Sequence, residues 1–510
     1  MIRVNNIHLS LDYDDKSVRK AVVQQLRIEE KSIKSCKIFR RSVDARKKDN
    51  IYFLTTVDAE LNINEDKVCK KCGNAQIARK YEYNQMKFGN APSPVVVGAG
   101  PAGLFAALIL ARSGAKPILI ERGRDVDRRT ADVNRFWTNG KLDITSNVQF
   151  GEGGAGTFSD GKLNSGTKDI RQRKVLEEFV SHGAPDEILY NAKPHIGTDM
   201  LKGTIKNIRN EIIELGGRVM FETKLVSMAF SDNKLKSITV ETANGNEIIE
   251  TDNVILAIGH SARDTFEMLY DLKLPIEAKP FSVGARIEHL REKVDKAQYG
   301  RFAGNKKLGS ANYKLSTHLD NGRGVYTFCM CPGGKVVNAS SEENRLCTNG
   351  MSEFARNADN SNSALLVGIN PDDYESDHPL AGMYLQRKLE SKAFVAGGEN
   401  YNAPIQRVDD FLNNRKSTHL GDVKPSIGPN YEFSNLNEIL PEYVCTSMAQ
   451  GIVKMGRMLH GFDDGDAVLT GVESRSSSPV RIMRKTDTLE SVLIEGLYPV
   501  SYTHLTLPTK

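Results

Sequence analysis

Hydrophobic and polar positions near the start of the chain follow two periods, and each predicts its own kind of element. Residues 2–11 alternate with a period of two, as a strand does, and the apolar residues of 17–26 recur at helical spacing. A β-rich run, 51–57, comes next. Residues 1–90 are therefore predicted to form a small α/β domain.

A strand–helix–strand pattern begins after a linker-like segment, 84–94. Three valines, Val95–Val97, lead into a glycine-rich turn, an apolar run at 104–110 and a second strand at 117–120 that ends at Glu121. Such a pattern predicts a parallel βαβ unit.

The glycine-rich turn reads G-x-G-x-x-G between the predicted strand and helix. In this context the first glycine permits a tight turn, the second allows a pyrophosphate to approach the backbone, and the third lets the helix pack on the strand. Glu121 lies at about the twenty-residue spacing of an acid that binds the ribose, and its charge disfavours a 2′-phosphate. The predicted contacts of this dinucleotide site are Gly98, Gly100, Pro101, Ala102, Gly103, Glu121 and Arg122.

Three later features favour FAD over NAD. The stretch 150–163 is a second glycine-rich loop, but a polar run follows it, so we do not assign it as a second Rossmann turn. A predicted β-meander at 218–250 precedes the apolar strand 253–258, and that strand ends at a glycine that permits close approach. The further predicted cofactor contacts are Gly151, Gly153, Gly154, Gly156, Ser159, Asp160, Lys162, Ala257 and Gly259. An exposed surface loop is the alternative for 150–163.

The fold class that these elements predict is mixed α/β (α+β), with a Rossmann-like FAD-binding fold. We predict an FAD-binding domain with an inserted β-meander at 93–270 and a β-rich, mixed α/β substrate or cap domain at 271–440. The segment 441–499 is predicted to return to the FAD domain. The stretch 122–168 is long, glycine-rich and charged, and 199–215 is predicted to be helical.

Composition narrows the function classes. Hydrophobic residues make up 39% and charged residues 26% of the 510, which excludes a disordered or collagen-like chain. A net charge of +5 does not by itself imply a nucleic-acid partner, and the basic excess in 1–50 lacks interleaved aromatics, so nucleic acid is an unlikely partner. Seven cysteines leave at least one unpaired, which suits a reducing cytoplasm, and we expect no membrane span.

Five motifs give the chain a resemblance to known flavoproteins. They are VVVGAGPAG, ITSNVQFGEGGAGTFSDGKL, VILAIGHSARD, FCMCPGGKVVNASSE and GVESRSSSPVRI. The chain resembles the glutathione-reductase-like FAD superfamily, and more closely a bacterial family of uncharacterised FAD-dependent dehydrogenases (NAD(P)/FAD-dependent oxidoreductases). The resemblance implies FAD on the first glycine turn and Glu121, an adenine contact near Leu225, and flavin contacts from 151–156 and Gly259.

Candidate catalytic residues are His260, Cys329 and Cys331. His260 follows the Gly259 turn, where a packed histidine is an equal alternative. The two cysteines, one residue apart on a strand, should point to opposite faces, and inert thiols are the preferred interpretation.

Two other pairs carry less specific signals. Arg475 and Arg481 fit either an anion site or surface charge. Cys69 and Cys72 form a single C-x-x-C without a second pair, so we predict reduced thiols and no metal site.

The last residues, 500–510, read VSYTHLTLPTK and resemble a translated sequencing adapter. We therefore expect a non-native tail and a native chain that continues beyond Pro499. The sequence predicts an FAD-dependent oxidoreductase of unknown small substrate, with NAD(P)H as a possible transient donor. The alternatives are an NAD-dependent dehydrogenase using the single Rossmann motif, and a non-catalytic flavin- or nucleic-acid-binding module.

Overall fold

A computed structural model describes residues 1–79, 82–87, 93–163, 169 and 171–500. Most of the predicted tail, 501–510, lies outside this range. The β-strands are β1 Ile2–Leu9, β2 Ile33–Asp44, β3 Tyr52–Leu61, β4 Ala75–Ile77, β5 Val95–Val97, β6 Ile118–Ile120, β7 Arg218–Met220, β8 Lys224–Ser231, β9 Lys234–Thr242, β10 Gly245–Glu250, β11 Val254–Leu256, β12 Ile276–Ala278, β13 Phe281–Leu290, β14 Ser316–His318, β15 Gly324–Cys331, β16 Lys335–Asn338, β17 Thr348–Met351, β18 Asn360–Ile369, β19 Ala403–Arg407, β20 Tyr431–Phe433, β21 Val468–Glu473, β22 Val480–Ile482 and β23 Leu497–Pro499. The α-helices are α1 Asp15–Leu26, α2 Glu65–Lys71, α3 Pro101–Arg112, α4 Val126–Asn139, α5 Gln172–Ser181, α6 Thr198–Glu214, α7 Arg263–Asp271, α8 Arg291–Tyr299, α9 Ala381–Ala396, α10 Val408–Leu412 and α11 Glu442–Gly456.

The chain divides into two compact units that are discontinuous in sequence. The first combines Met1–Asn84, Lys162–Ile196 and Arg291–Asn312. Its four-stranded antiparallel sheet has the order β2-β3-β1-β4, with α1 and α2 as the crossovers. That is the β-α-β-β-α-β arrangement of ferredoxin-like folds, and it is the α/β unit that the alternation in 1–90 predicts.

The second unit combines Gln85–Gly161, Gly197–Leu290 and Tyr313–Lys510. One part of it is a parallel sheet in the order β23-β11-β5-β6-β7. The three valines of β5 are all buried, as expected of a strand covered on both faces. The antiparallel meander β8-β9-β10 lies between β7 and β11 in sequence, where the pattern predicts it.

A seven-stranded sheet forms the other large part of this unit. Its order is β14-β15-β18-β13-β21-β19-β20, and all neighbours are antiparallel except β19 and β20. The fold class is therefore mixed α/β, as predicted from the sequence.

Segment boundaries differ from the predicted 1–90, 93–270, 271–440 and 441–499. Within 441–499, β21 is fully buried between β13 and β19, so the seven-stranded sheet uses a strand from beyond 440. The end of that segment, β23, does join the parallel sheet beside β11.

The charged, glycine-rich stretch 122–168 contains α4, a helix that the sequence pattern did not indicate. Asp125 caps its N-terminus by accepting N–H bonds from Asp127 and Arg128, and Gly140 ends it in the left-handed conformation. The apolar side of this highly charged helix is buried. No helix in the described part of the chain has the length and apolar character to cross a membrane.

Candidate functional site

The turn after β5 has the geometry of a dinucleotide cradle. Gly98 has a φ of +100°, and a Cβ there would lie 2.4 Å from the Ala257 carbonyl oxygen. A Cβ at Gly103 would lie 1.8 Å from the Gly98 carbonyl oxygen. The protein's own backbone therefore requires both glycines, for the turn and for close packing of α3.

Gly100 differs from Gly98 and Gly103 because the fold of the protein does not require a glycine at this position. Its φ is −69°, and the nearest atom to an added Cβ is the Gly154 Cα at 3.9 Å. It is the N-cap of α3 without a side-chain cap, and the first helical residues, Pro101 and Ala102, are exposed. Open backbone at the positive end of a helix dipole is what a pyrophosphate needs.

Glu121 is buried and accepts three backbone N–H bonds. They come from Ala99 at 2.8 Å and from Gly123 and Gly151 at 2.9 Å each. A carboxylate has about four acceptor positions, and within the described residues Oε2 takes only the Ala99 bond, so one position on it remains. The residue fits the predicted ribose contact, and it also fastens the two glycine segments together, which the spacing did not indicate.

The second glycine loop lies directly against the first turn. Gly153 donates its N–H to the Ala99 carbonyl at 2.8 Å, and a Cβ on Gly154 would lie 3.0 Å from the Gly100 Cα. Gly156 packs near the Pro101 ring, 3.8 Å from where its Cβ would be. The structure thus brings together two glycine segments that are about fifty residues apart, beside the open backbone of Gly100.

Arg129 of α4 holds this second loop, and sequence reasoning missed it. Its fully buried guanidinium donates to the carbonyls of Asn147 at 2.8 Å, Val148 at 2.9 Å and Glu152 at 2.6 Å. Burial lowers the pKa of Arg129 to about 10, with Glu121 and Glu152 opposing that effect, so the side chain stays charged at neutral pH.

Replacing Arg129 with glutamine should loosen the loop and weaken FAD binding by at least about tenfold, since hydrogen bonds from a charged donor contribute about 1.5–3 kcal/mol each. Titration of the apoprotein with FAD, followed by flavin fluorescence, measures this. Arg128→Gln is the matched control, because Arg128 is half exposed and pairs with Asp125 and Glu222. Equal losses in both variants would contradict a specific role for Arg129.

Other predicted contacts have partners of their own. Arg122 stacks over the Phe150 ring, 4.4 Å from its centroid, and pairs with Asp264 at 2.9 Å. Burial would raise the pKa of Asp264, but Arg122 and Lys224 outweigh it and lower the pKa to about 2. The Arg122 side chain is thus held in place against Phe150 of the second glycine loop.

The polar run after the loop is used structurally. Ser159 donates to the Gly156 carbonyl at 2.8 Å, and Asp160 is buried and accepts from Arg356 at 2.9 Å. Lys162 belongs to the first unit, where its backbone forms an isolated antiparallel β-bridge with His195.

The chain returns to the site at the end of β11. Ala257 donates its N–H to the Val97 carbonyl at 2.8 Å. Gly259 is exposed with a φ of +70°, and nothing lies within 4 Å of an added Cβ. Leu225 is buried in the core that β5, β8 and β11 share, so its contribution to a cofactor site is limited to its backbone.

His260 lies beside two buried arginines. Burial, together with the charges of Arg475 and Arg263, lowers the pKa of His260 to about 4. The imidazole is therefore neutral at physiological pH.

Those arginines belong to a buried ion network. Glu390 accepts from Arg263 at 2.7 Å and from Arg475 at 2.8 Å, and it is fully buried. Glu342 accepts from Arg263, Arg345 and Arg387 at 2.5, 2.8 and 2.8 Å. Surface charge was one of the two interpretations of Arg475, and its burial in this network contradicts it.

Arg481 does lie at the surface, where it pairs with Glu277 at 3.0 Å and remains about two-fifths exposed. Cys329 is exposed and Cys331 is buried, and the pairing of β15 with β18 shifts register between Phe328 and Cys331. The Cys329 carbonyl accepts from the buried Arg286 at 3.0 Å.

In the first unit, Cys69 lies in α2 and Cys72 caps its end, both as free thiols. Among the described residues, no group of three or more His, Cys, Asp or Glu side chains could hold a metal ion.

Comparison with known proteins identifies three regions of the chain. Residues 93–131 match the FAD binding domain family, and residues 280–476 match the family described as FAD-dependent protein, C-terminal domain-like. Residues 1–60 match a domain of unknown function. The first match covers the Gly98–Gly103 turn and Glu121, so the cofactor is FAD.

The solved structures that match this chain share little sequence with it. The FAD-complexed glycerol-3-phosphate dehydrogenase from Bacillus halodurans is 12% identical over 55% of this chain and 48% of its own, with a TM-score of 0.28. The anhydrotetracycline hydroxylase OxyS from Streptomyces rimosus is 14% identical over 55% of this chain and 47% of its own, with a TM-score of 0.24. The matches thus span about half the length of each of these proteins.

A much closer relative is an uncharacterised protein of Clostridium beijerinckii. It is 48% identical over 504 residues, which cover 98% of this chain and 93% of the relative. The chain, in which the match to the FAD binding domain precedes the match to the C-terminal domain of FAD-dependent proteins, therefore belongs to the same family as this clostridial protein.

Proposed function

We propose that the protein is an FAD-dependent oxidoreductase, of the dehydrogenase or reductase class, that transfers hydride or electrons between its flavin and a small-molecule substrate. One observation carries the proposal. The backbone at Gly100 is left open between two glycine loops that Glu121 fastens together. When bound, FAD supplies the hydride and electron chemistry, and the protein supplies position and electrostatics.

The residues around this opening have distinct tasks in the proposal. The N-terminus of α3 binds the pyrophosphate, and the unused acceptor position on Glu121 Oε2 binds a ribose hydroxyl. The exposed backbone at Gly259 lets the cofactor pass closely. His260, neutral beside Arg263 and Arg475, offers a hydrogen bond without a charge of its own.

An anaerobic titration tests this function. The purified protein is mixed with NADH or NADPH without oxygen, and flavin absorbance is followed. Bleaching by either nucleotide supports a reductase half-reaction with a transiently bound donor, and bleaching only by an organic substrate supports a dehydrogenase. Flavin that neither nucleotide nor a substrate panel reduces, and that ferricyanide does not reoxidise after dithionite treatment, would contradict the proposal.

A further inference from the structure

The second unit contains a cavity of about 390 Å³. Its walls come from the end of α4, from β16, from the turn at 400–402 and from the loop at 426–430. Sites for small molecules are concave and have volumes of about 300–1,000 Å³. The cavity is therefore large enough for a compact organic molecule.

Side-chain hydrogen bonds fix the walls of this cavity. Trp137 donates its indole N–H to the Asn338 carbonyl at 2.9 Å, and Asn430 donates to the Trp137 carbonyl at 2.5 Å. Asn338 in turn donates to the Tyr401 carbonyl at 2.8 Å. Four separate segments are thereby tied to one another, so the cavity is preformed and binding does not require it to become ordered.

The charge in the lining of the cavity is positive. Among the described residues, Lys335, the first residue of β16, is the only charged member of the lining, which contains no Asp or Glu there. Lys335 is exposed, and within the described residues its ammonium group forms no hydrogen bond or ion pair. An uncompensated cation at the rim of a partly apolar cavity attracts an anion.

The remaining lining combines aromatic and aliphatic side chains with uncharged polar groups. Phe136, Trp137 and Tyr401 supply the aromatic side chains, and the ring of Phe136 meets that of Tyr401 edge-on at 5.3 Å. Five asparagines add hydrogen-bonding groups that carry no charge: Asn139, Asn338, Asn400, Asn402 and Asn430. Aromatic walls favour planar, unsaturated bodies.

We propose that this cavity binds a small planar organic anion, with its carboxylate on the Lys335 ammonium and its flat body among the three aromatic side chains. The inference goes beyond the oxidoreductase proposal and does not depend on it, because it requires binding and no turnover.

The chain provides its own reporter, because Trp137 is its single tryptophan. The FAD-loaded protein is titrated with benzoate, and with benzamide as the neutral molecule of nearly the same shape. Trp137 fluorescence and flavin absorbance are read together. We expect a saturable fluorescence change with benzoate and binding of benzamide at least about tenfold weaker, as expected for loss of a charge-assisted hydrogen bond.

Two lysine variants make the test specific. Lys335→Gln should weaken benzoate binding by at least about tenfold. Lys392→Gln removes an exposed lysine of α9, outside the cavity lining, and should leave binding unchanged.

Three results would overturn the inference. The first is the absence of a saturable change in Trp137 fluorescence. The second is equal affinity for benzoate and benzamide, and the third is equal affinity in Lys335→Gln and Lys392→Gln. A change in flavin absorbance alone, without one in Trp137 fluorescence, would place benzoate at the flavin and contradict the inference while leaving the oxidoreductase proposal intact.

Discussion

Replacing Gly100 with alanine should leave the protein folded but remove most of its FAD. The φ of −69° at Gly100 is ordinary for alanine, and the added Cβ would lie at normal contact distance, 3.9 Å, from the Gly154 Cα. The same methyl group would occupy the space through which a pyrophosphate approaches the backbone. We expect FAD affinity to fall about a hundredfold, which corresponds to ~2.7 kcal/mol. Flavin content measures the loss, and circular dichroism of the apoprotein checks the fold.

Two other glycine variants serve as controls for this result. Gly203→Ala places a methyl group in open space on α6, so it should keep both fold and FAD. Gly103→Ala places its Cβ 1.8 Å from the Gly98 carbonyl oxygen and should impair folding itself. Wild-type FAD affinity in Gly100→Ala would show that the cofactor does not pass over this turn.

Replacing Glu390 with glutamine should cause a large loss in the free energy of unfolding. The substitution keeps the shape of the side chain but leaves the guanidinium groups of Arg263 and Arg475 buried beside a neutral amide. Removing one partner of a buried ion pair costs about 3–5 kcal/mol. Denaturant unfolding of the FAD-loaded protein measures the change.

The same carboxylate predicts a pH dependence. Burial would raise the pKa of Glu390, but Arg263 and Arg475 outweigh it and hold the pKa well below its ordinary value of 4.5. Because the folded pKa is the lower one, the stabilisation is complete above about pH 4.5 and is lost as the pH falls towards the folded value. Glu390→Gln should therefore lose less stability than the wild type on acidification below pH 4.5.

Glu375→Gln is the matched control for this network. Glu375 pairs with Lys388 at the surface, where its side chain is 74% exposed, so its loss should cost less than about 1 kcal/mol. A loss in Glu390→Gln no larger than that in Glu375→Gln would show that the buried network does not hold these segments together.

Local signals in the sequence were enough to predict the cofactor turn. Gly98, Gly103 and Glu121 act through a strand, a turn and a helix that are contiguous, so their spacing alone carries the information. The β-meander also follows from local alternation. The fold class rests on these same short-range patterns.

The helix α4 was missed because charge obscured its pattern. Its buried side includes Arg129 and Asp132 besides Val133 and Phe136, so the apolar periodicity is broken. The N-cap Asp125 and the terminal Gly140 were the available signals. Recognising them would have identified the helix, although not the carbonyl groups that Arg129 binds.

The ion network and the arrangement of the seven-stranded sheet had no local signal. Glu390 lies 127 residues from Arg263 and 85 from Arg475 in sequence. Likewise, β21 pairs with β13 across more than 180 residues. Partners that are so distant are selected by tertiary packing, which a single sequence does not display.

The visible absorption spectrum of the purified protein is the most direct test of the account. We predict two flavin bands, with FAD bound in stoichiometric amount and restored on adding FAD to the apoprotein. A colourless protein that cannot be reconstituted with FAD would contradict the cradle of Gly100, Glu121 and the second glycine loop as a flavin site.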